Sequence, residues 1–465
     1  MSPRRFEPQR HFIAGRFVES VSGATFETVN PATGEVLADV CEGGAADVDA
    51  AVAAARAAFD EGPWPGLKAV ERAGVLRRVA QLIRERADAF VAAEVADIGM
   101  PVAQMHGLAA RAAQNFDYYA GVITELHGRS FQVGDEFLNY TIHKPVGVAG
   151  LIMPWNAPLM LSSWRIAPAL AAGNTVVLKP AEWSPLTAGL LAGALADAGV
   201  PEGAFNVVHG DGPGAGAPLS AHPGVQLICF TGETTTGQAI IAAGAPTLKR
   251  CSVELGGKSP VVVFDDADPE LCVDAALAQI FTMNGQRCTA GSRLLVARGL
   301  YERIVQEVAE RARRIRVGDP TDERTELGPL IHAEHLARVL EYVESAREQG
   351  ARVLAGGGRA AGLGDGAGNF MQATVIADVS ERMDVFREEI FGPVLVAMAF
   401  DDEADAIRLA NATQYGLAAY VWTNDVSRAH RVAHAIDTGM CWINSQNVRD
   451  LRTPFGGVKS SGIGR

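Results

Sequence analysis

The chain holds 465 residues, too many for one ordinary hydrophobic core at about 100–200 residues per domain, so two or three domains are expected. Hydrophobic residues make up 48% and charged residues 20%, with 50 glycines spread along the sequence, which excludes disorder and fits an α/β enzyme. Fifty-four acidic residues against 41 basic ones leave a formal charge of -13, which repels phosphate backbones and anionic membrane surfaces, so neither nucleic acid nor a membrane is an expected partner.

The opening MSPRRFEPQR carries positive charge but leads into no apolar core or small-residue cleavage site, so it does not read as a signal peptide. From Asp47 to Phe59, Val48, Val52, Ala55 and Phe59 recur at helical spacing, and Glu71 to Asp97 continues as one long amphipathic stretch. These helices are expected to cover one face of a sheet. From Val146, short β-branched runs alternate with alanine-rich segments of helix length: VGVAGLIM, PLMLSSWRIAPALAAGN, TVVLKP, PLTAGLLAGALADAG, FNVVHG, a short helix, and VQLICFTG. That rhythm predicts a doubly wound parallel sheet. The longest uncharged stretch, Pro145 to Trp164, is broken by Pro154 and Pro158 and carries Asn156, so it reads as a buried strand and a helix, not a membrane span.

A second series follows Gly256 and Gly257: PVVVF, a helix from Pro269 to about Met283, SRLLVA, and a helix from Tyr301 to Arg316. In that last helix Tyr301, Ile304, Val305, Val308, Ala312 and Ile315 form one apolar stripe, while Arg311, Arg313 and Arg314 lie largely off it as a solvated face. The run from Gly356 to Gly368 reads as a surface loop between strands. No fixed-period repeat is present; two α/β halves facing a cleft is the expected architecture. The six cysteines are scattered with no CxxC pair, which predicts reduced thiols in a cytoplasm and no zinc site.

Cys288 sits in NGQRCTAGSR, between a helix and a strand, where two glycines let a thiol approach a ligand. A thiol of ordinary pKa near ~8.5 is a few per cent thiolate at neutral pH, enough for covalent catalysis. Cys229 and Cys251, inside apolar strands, are expected to be small buried hydrophobes. Glu254, in SVELGGKSP, ends an apolar strand at the rim where α/β sheets bind ligands, so burial would raise it toward the range of a general base for water; a capping or ion-paired acid is the other reading. Asn156, in PWNAP, offers a neutral amide that with a backbone N–H would form an oxyanion hole worth about 3 kcal/mol, although turn chemistry also accounts for an Asn between prolines. Of two glycine clusters, GDGPGA loses a backbone donor to Pro213. FTGETTTG, Phe230 to Gly237, opens a helix whose free N–H groups can face a pyrophosphate. Glu182 stands beyond a neighbouring strand, where a carboxylate accepts ribose hydroxyls and repels a 2′-phosphate, which favours NAD over NADP.

The set PWN, KPAE (Lys179 to Glu182), FTGETTTG, ELGGK, GQRC, EEIFGP (Glu388 to Pro393), WIN (Trp442 to Asn444) and PFGGVKSSGIGR (Pro454 to Arg465) resembles the aldehyde dehydrogenase superfamily in order and spacing along nearly the whole chain. The resemblance implies two doubly wound parallel-sheet domains facing a cleft plus a small oligomerisation β-flap. The expected division is 1–122 and 145–256 for NAD binding, 257–460 for catalysis, and 123–144 with 461–465 for oligomerisation as a dimer or tetramer. Relatives usually continue past this point for about one more strand that pairs with a neighbour's sheet, so the C-terminal strand reads as missing. Carried over by residue, Cys288 becomes the nucleophile, Asn156 with the Cys288 amide the oxyanion hole, and Glu254 the base for the hydrolytic water. Lys179 and Glu182 become the adenosine-ribose pair, Gly232 and Gly237 the pyrophosphate turn, Glu389 and Phe391 the nicotinamide contacts, with Ile152 and Trp155 also on the cofactor. The implied reaction oxidises an aldehyde to an acid through a cysteine thiohemiacetal and thioester, with water and not coenzyme A as acceptor. Glu233 departs from the serine common after Gly232, and its charge would repel a pyrophosphate.

LNYTIHKPVGV, FTMNGQRCTAGSR, RARRIRVGDPTD and NSQNVRDLRTPFGGVKSSGIGR are most similar to members that act on carboxylated hydroxymuconic semialdehydes in aromatic-compound degradation. Such a substrate calls for fixed cations in the tunnel. Arg449 and Arg452 are the first candidates, with Trp164 beside them and Arg165 and Arg287 behind; surface ion pairing is the other reading. The alternatives are a general aliphatic or betaine-type aldehyde dehydrogenase, a thiol hydrolase using Cys288 with a histidine, and a non-catalytic protein that keeps the fold.

Overall fold

The runs that begin at Val148 are short, β-branched and apolar throughout, so they are stable only when buried on both faces. In the computed structural model, which describes residues 6–363, 366, 368–446 and 448–465, Val148–Ile152, Thr175–Lys179 and Phe205–Val207 are buried at every position. The first sheet has eight strands in the order Arg16–Val18, His11–Ile13, Phe205–Val207, Thr175–Lys179, Val148–Ile152, Leu227–Thr231, Arg250–Glu254 and Gly462–Ile463. Its five central strands are parallel, and the flanking ones are antiparallel additions. The chain steps outward from Val148–Ile152 through two strands and returns on its other side as Leu227–Thr231. Such a reversal opens a crevice beyond the carboxyl ends of the two strands.

Helix Ala45–Asp60 packs Val48, Ala51, Val52 and Ala55 against Val148, Val177 and Ile228 on one face. The other face is covered by Leu76, Val79, Ile83, Phe90 and Phe116 from three helices. The stretch Glu71 to Asp97, expected as one helix, is two: Ala69–Glu85 and Ala87–Ile98 meet at Arg86, whose φ of -110 and ψ of 16 leave the helical region. The break frees the second helix to aim buried carboxyls at two other helices. Glu94 accepts a hydrogen bond from the Leu159 N–H at 2.6 Å and Asp97 one from the Leu186 N–H at 2.9 Å, satisfying orphan donors at the starts of Pro158–Ala171 and Leu186–Asp197.

The second sheet has seven strands in the order Arg352–Ala355, Thr374–Ala377, Val394–Phe400, Arg293–Ala297, Pro260–Val263, Ala418–Trp422 and Met440–Ile443, all parallel except the first. Two helices differ in extent from expectation. Pro269–Phe281 ends before Met283, which takes a φ of 55. Arg298–Ala312 ends before Ile315, which packs on the same core from beyond the cap. Arg311 pairs with Glu270, Asp274 and Glu307, and Arg314 with Glu310, so the arginine run is an ion-paired face. Gly356 to Gly368 joins two antiparallel strands as a loop; Gly364, Asp365 and Ala367 lie outside the described residues. Cys229 is buried, whereas Cys251 is half-buried because its strand starts at an exposed edge.

The two sheets present opposite ends to the cleft. From the first, Asn156, Gly232 and Glu254 lie at or just beyond carboxyl ends of strands. From the second, Gly257, Cys288 and Glu389 to Phe391 lie just before the amino ends. A hairpin, Ser130–Val133 with Phe137–Tyr140, stands apart with Phe131, Val133, Phe137, Leu138 and Tyr140 all exposed. Among the described residues no helix is long and apolar enough to cross a membrane.

Candidate active site

Cys288 is carried on a loop that the sequence bends by force. Met283 and Asn284 hold positive φ of 55 and 56, costly for non-glycine residues unless surroundings hold them. The Asn284 amide does so: it donates to the Gly99 and Pro329 carbonyls at 3.0 Å each and accepts from the Gly328 N–H at 2.7 Å. Gly285, at φ 71, is packed so closely that a Cβ would lie 2.3 Å from the Gly392 carbonyl carbon. Asn156 is buried, and its Nδ2 donates to the Gln286 carbonyl at 2.9 Å. That bond spends one amide hydrogen and leaves the other for a developing oxyanion.

Part of the Cys288 surface faces a cavity, but protein surrounds the sulfur closely enough that burial pushes the thiol up to about 11, against the opposing pull of Arg449 and Arg287. Burial therefore disfavours the ready thiolate expected from an ordinary cysteine, so a nucleophilic role would call for a nearby base to take the proton. Glu254, at the end of its strand with a side chain 7% exposed, is raised to about 7 by burial, an effect tempered by Arg165, Arg465 and Arg449. Neither of its oxygens accepts a hydrogen bond among the described residues. Its nearest cation is Arg165, 3.6 Å from Oε1, an ion pair longer than a hydrogen bond. Arg287, by contrast, is committed to the Gln279 carbonyl and side chain and to Thr282.

A cavity of about 550 Å³ runs from Cys288 between the sheets, past Asn156, Trp155, Gly232, Glu389 and Phe391. At its inner end Phe391 holds φ 57 and meets the Trp155 ring edge-on, centroids 5.3 Å apart. The Phe391 carbonyl accepts from His335 Nε2 at 2.7 Å; burial lowers His335 to about 4, so the ring is neutral and Nε2 carries the proton. Glu389, raised to about 7 by burial, accepts from the Gly257 N–H at 2.9 Å. A Cβ at Gly256 would lie 2.2 Å from its Oε2, so this glycine is needed for the acid to approach.

Toward the other end, helix Thr234–Gly244 points its free N–H groups into the cavity. Glu233, its N-cap, makes no capping bond and instead stands 3.9 Å from Arg338, which offsets the charge conflict expected from sequence. Gly237 is buried inside the first turn, where a Cβ would lie 2.5 Å from Leu255, so it serves close helix–strand packing. Lys179 is buried at its strand end and its Nζ donates to Glu182 at 2.8 Å. Ile152 is buried at the end of the strand leading to Trp155. Helix N-terminus, arginine, two carboxylates and an aromatic edge together fit a dinucleotide, with donors for phosphates and acceptors for ribose hydroxyls.

A second cavity, of about 560 Å³, is ringed by Arg111, Arg165, Arg449, Arg452 and Arg465 against the single carboxylate of Asp450. Arg449 lies over the Phe455 and Trp164 rings, at 4.3 and 5.5 Å from their centroids, and its Nη2 donates to Thr289 at 3.4 Å. It is the foremost cation acting on Cys288. Arg452 is different: 82% exposed and held by Asp450 at 2.6 Å, it stays at the rim. Sequence reasoning missed Arg111 and Arg465 here, and Asn284 under the nucleophile loop; an isolated arginine in a long helix and an Asn in a turn carry no local signal. Among the described residues no group of His, Cys, Asp or Glu is placed to hold a metal ion.

The model of the aldehyde dehydrogenase family matches residues 17–465 of this chain. The chain is 48% identical over 453 residues to the 5-carboxymethyl-2-hydroxymuconate semialdehyde dehydrogenase of Escherichia coli, spanning 97% of this chain and 95% of that protein. It is similar to the crystal structure of HpcC from Thermus thermophilus, with 53% identity and a TM-score of 0.96 over 98% of this chain and 89% of that one. An aldehyde dehydrogenase from Bacillus cereus, solved as its NAD+ complex, shares 43% identity and a TM-score of 0.96 over 98% of this chain and 93% of that one.

Proposed function

This chain belongs to the aldehyde dehydrogenase family and is an aldehyde-oxidising oxidoreductase, and from that premise we propose that it is an NAD-dependent enzyme that oxidises a carboxylated hydroxymuconic semialdehyde through a covalent adduct on Cys288. The observation that carries the substrate class is the second cavity, where five arginines surround one carboxylate and one of them, Arg449, acts on Cys288, in a chain whose total charge is -13. A cavity of that sign attracts a multiply anionic aldehyde and disfavours a cationic one of betaine type. In this proposal Arg449 and Arg111 would hold carboxylates within the cavity, Arg452 would meet them at its mouth, and Trp164 would pack against the carbon chain.

In this reading Glu254 accepts the Cys288 proton as the sulfur attacks the aldehyde carbon. The carbonyl oxygen becomes an oxyanion held by Asn156 Nδ2 and the Cys288 N–H. NAD, when bound, supplies the hydride acceptor that makes a thioester of the thiohemiacetal. Once Glu254 has passed the cysteine proton on to solvent, it takes a proton from water as the water oxygen attacks the thioester carbon, the carbon–sulfur bond breaks, and the Cys288 sulfur leaves as a thiolate with the carboxylic acid as product. The first cavity would hold the cofactor with Trp155, Phe391 and Glu389 at the nicotinamide end, Gly232 and the helix start that Gly237 lets pack closely on its strand at the pyrophosphate, and Lys179 and Glu182 beyond Ile152 at the adenosine ribose. Glu182 at that place favours NAD over NADP. The exposed apolar hairpin 130–140 fits assembly of a homo-oligomer, and scattered free thiols fit a cytoplasmic protein.

The test is NADH formation from NAD with a carboxylated hydroxymuconic semialdehyde and, separately, a simple aliphatic aldehyde. A marked preference for the first, abolished in Cys288→Ala, is the expected result. Equal efficiency with both would remove the substrate assignment, and turnover surviving in Cys288→Ala would remove the mechanism.

A further inference from the structure

Four ionisable side chains face Glu254: Arg165 from helix Pro158–Ala171, Arg449 from the segment before Phe455, Arg465 at the chain's last position, and the Cys288 thiol from the nucleophile loop. The cations differ in what else they hold. Arg449 is engaged by Thr289 and by the Trp164 and Phe455 rings. Arg465 donates to the Gly457 and Gly464 carbonyls at 2.7 and 2.9 Å. Arg165 is the one of the three within ion-pair distance of Glu254, at 3.6 Å, with side chains only 16% and 7% exposed. A charge pair this enclosed is screened little by solvent, unlike the ion pairs of the outer surface. The oxygen that faces Arg165 has little room, since a Cβ at Gly456 would lie 2.9 Å from Oε1.

We propose that Arg165 is a positioning residue for thioester hydrolysis: its guanidinium holds Glu254 as a carboxylate in place beside Cys288, an inference that rests on reading Glu254 as the base. Burial drives Glu254 toward its neutral acid, which cannot accept a proton from water. The guanidinium opposes that drive with its positive charge. An opposite charge at this range lowers a carboxyl by about 1–3 units, so removing it moves the acidic limb of turnover upward. A residue that merely supported the fold would lower the rate at every pH alike.

The experiment is the pH profile of kcat, over about pH 5 to 9, for the wild type, Arg165→Gln, Arg165→Met and Arg165→Lys, with Glu254→Gln as reference. NAD and aldehyde are saturating, so that loss of an anion contact in binding does not enter. The aldehyde is whichever of the two above the wild type turns over faster. The expected result is a limb near pH 7 in the wild type, moved up by about one unit in both neutral variants and returned by lysine. Two neutral variants guard against one that folds poorly. A limb unmoved in Arg165→Gln and Arg165→Met, with or without a uniform fall in kcat, overturns the role of Arg165 alone. A limb that persists in Glu254→Gln at full rate overturns the base assignment and this proposal with it.

Discussion

Gly257→Ala tests how finely the nucleophile loop is placed. Gly257 precedes the strand Pro260–Val263, and a Cβ there would lie 2.5 Å from the Cys288 carbonyl oxygen and 3.2 Å from Leu417 Cβ. Real Cβ contacts essentially never fall below 3.0 Å, so going from 2.5 to 3.0 Å the Cys288 backbone must yield by about 0.5 Å, and more to reach ordinary contact. The loop has few ways to yield, because Gly285 is wedged against Gly392 and Asn284 is tied by three hydrogen bonds. Misplacement by about 1 Å costs about 100-fold in rate, so kcat should fall by about 10- to 100-fold, with an overpacking cost of about 1–3 kcal/mol in stability. Stopped-flow NADH formation with denaturant unfolding of the same samples reads both. The control is Gly193→Ala, in helix Leu186–Asp197, where a Cβ meets nothing within 4 Å and kcat should stay unchanged. A Gly257→Ala protein that keeps kcat within about twofold would refute the reasoning, since the clash would then be absorbed away from the thiol.

Replacing Arg449 by Ala should raise KM for a carboxylated semialdehyde about 10- to 100-fold over its effect on a neutral aldehyde, the worth of about 1.5–3 kcal/mol in a charged hydrogen bond. Arg452→Ala, at an exposed and already paired position, should change the same ratio by less than about threefold; steady-state kinetics with both aldehydes checks the pair. Stability should depend on the buried Glu94, which burial raises to about 8 from an ordinary 4.5. A group raised in the fold stabilises most below its unfolded value, and that contribution is lost as pH climbs through the folded one. Glu94→Gln keeps an acceptor for the Leu159 N–H, so it should flatten the decline in urea midpoint between pH 4.5 and 8. Asp97, raised to about 7 by burial, should leave a smaller slope; an unaltered profile would mean that Glu94 does not carry the decline.

What was legible along the chain was whatever repeats or caps locally. The run TVVLKP can only be a buried strand, and FTGETTTG opens a helix because its glycines and threonines leave donors free, so the first sheet and its ligand edge could be read before any contact was known. Cys288, Glu254 and Asn156 stood out as candidates from their glycine- and proline-rich surroundings, while their roles as nucleophile, base and oxyanion donor came from the family resemblance. Composition likewise predicted an anion-repelling exterior. None of this placed side chains from distant segments. Arg111, Arg165, Arg449 and Arg465 belong to a long helix, a second helix, a loop and the last position, and they converge on one cavity only because two sheets present opposite strand ends to a shared cleft. The same folding buries the Cys288 thiol and raises it to about 11, where an isolated thiol would have been partly ionised. It also pairs Glu233 with Arg338 and Glu254 with Arg165. Local pattern follows from hydrogen bonding and apolar period within a few residues. Burial and charge, which set the chemistry here, are sums over every neighbour that the packed chain brings near.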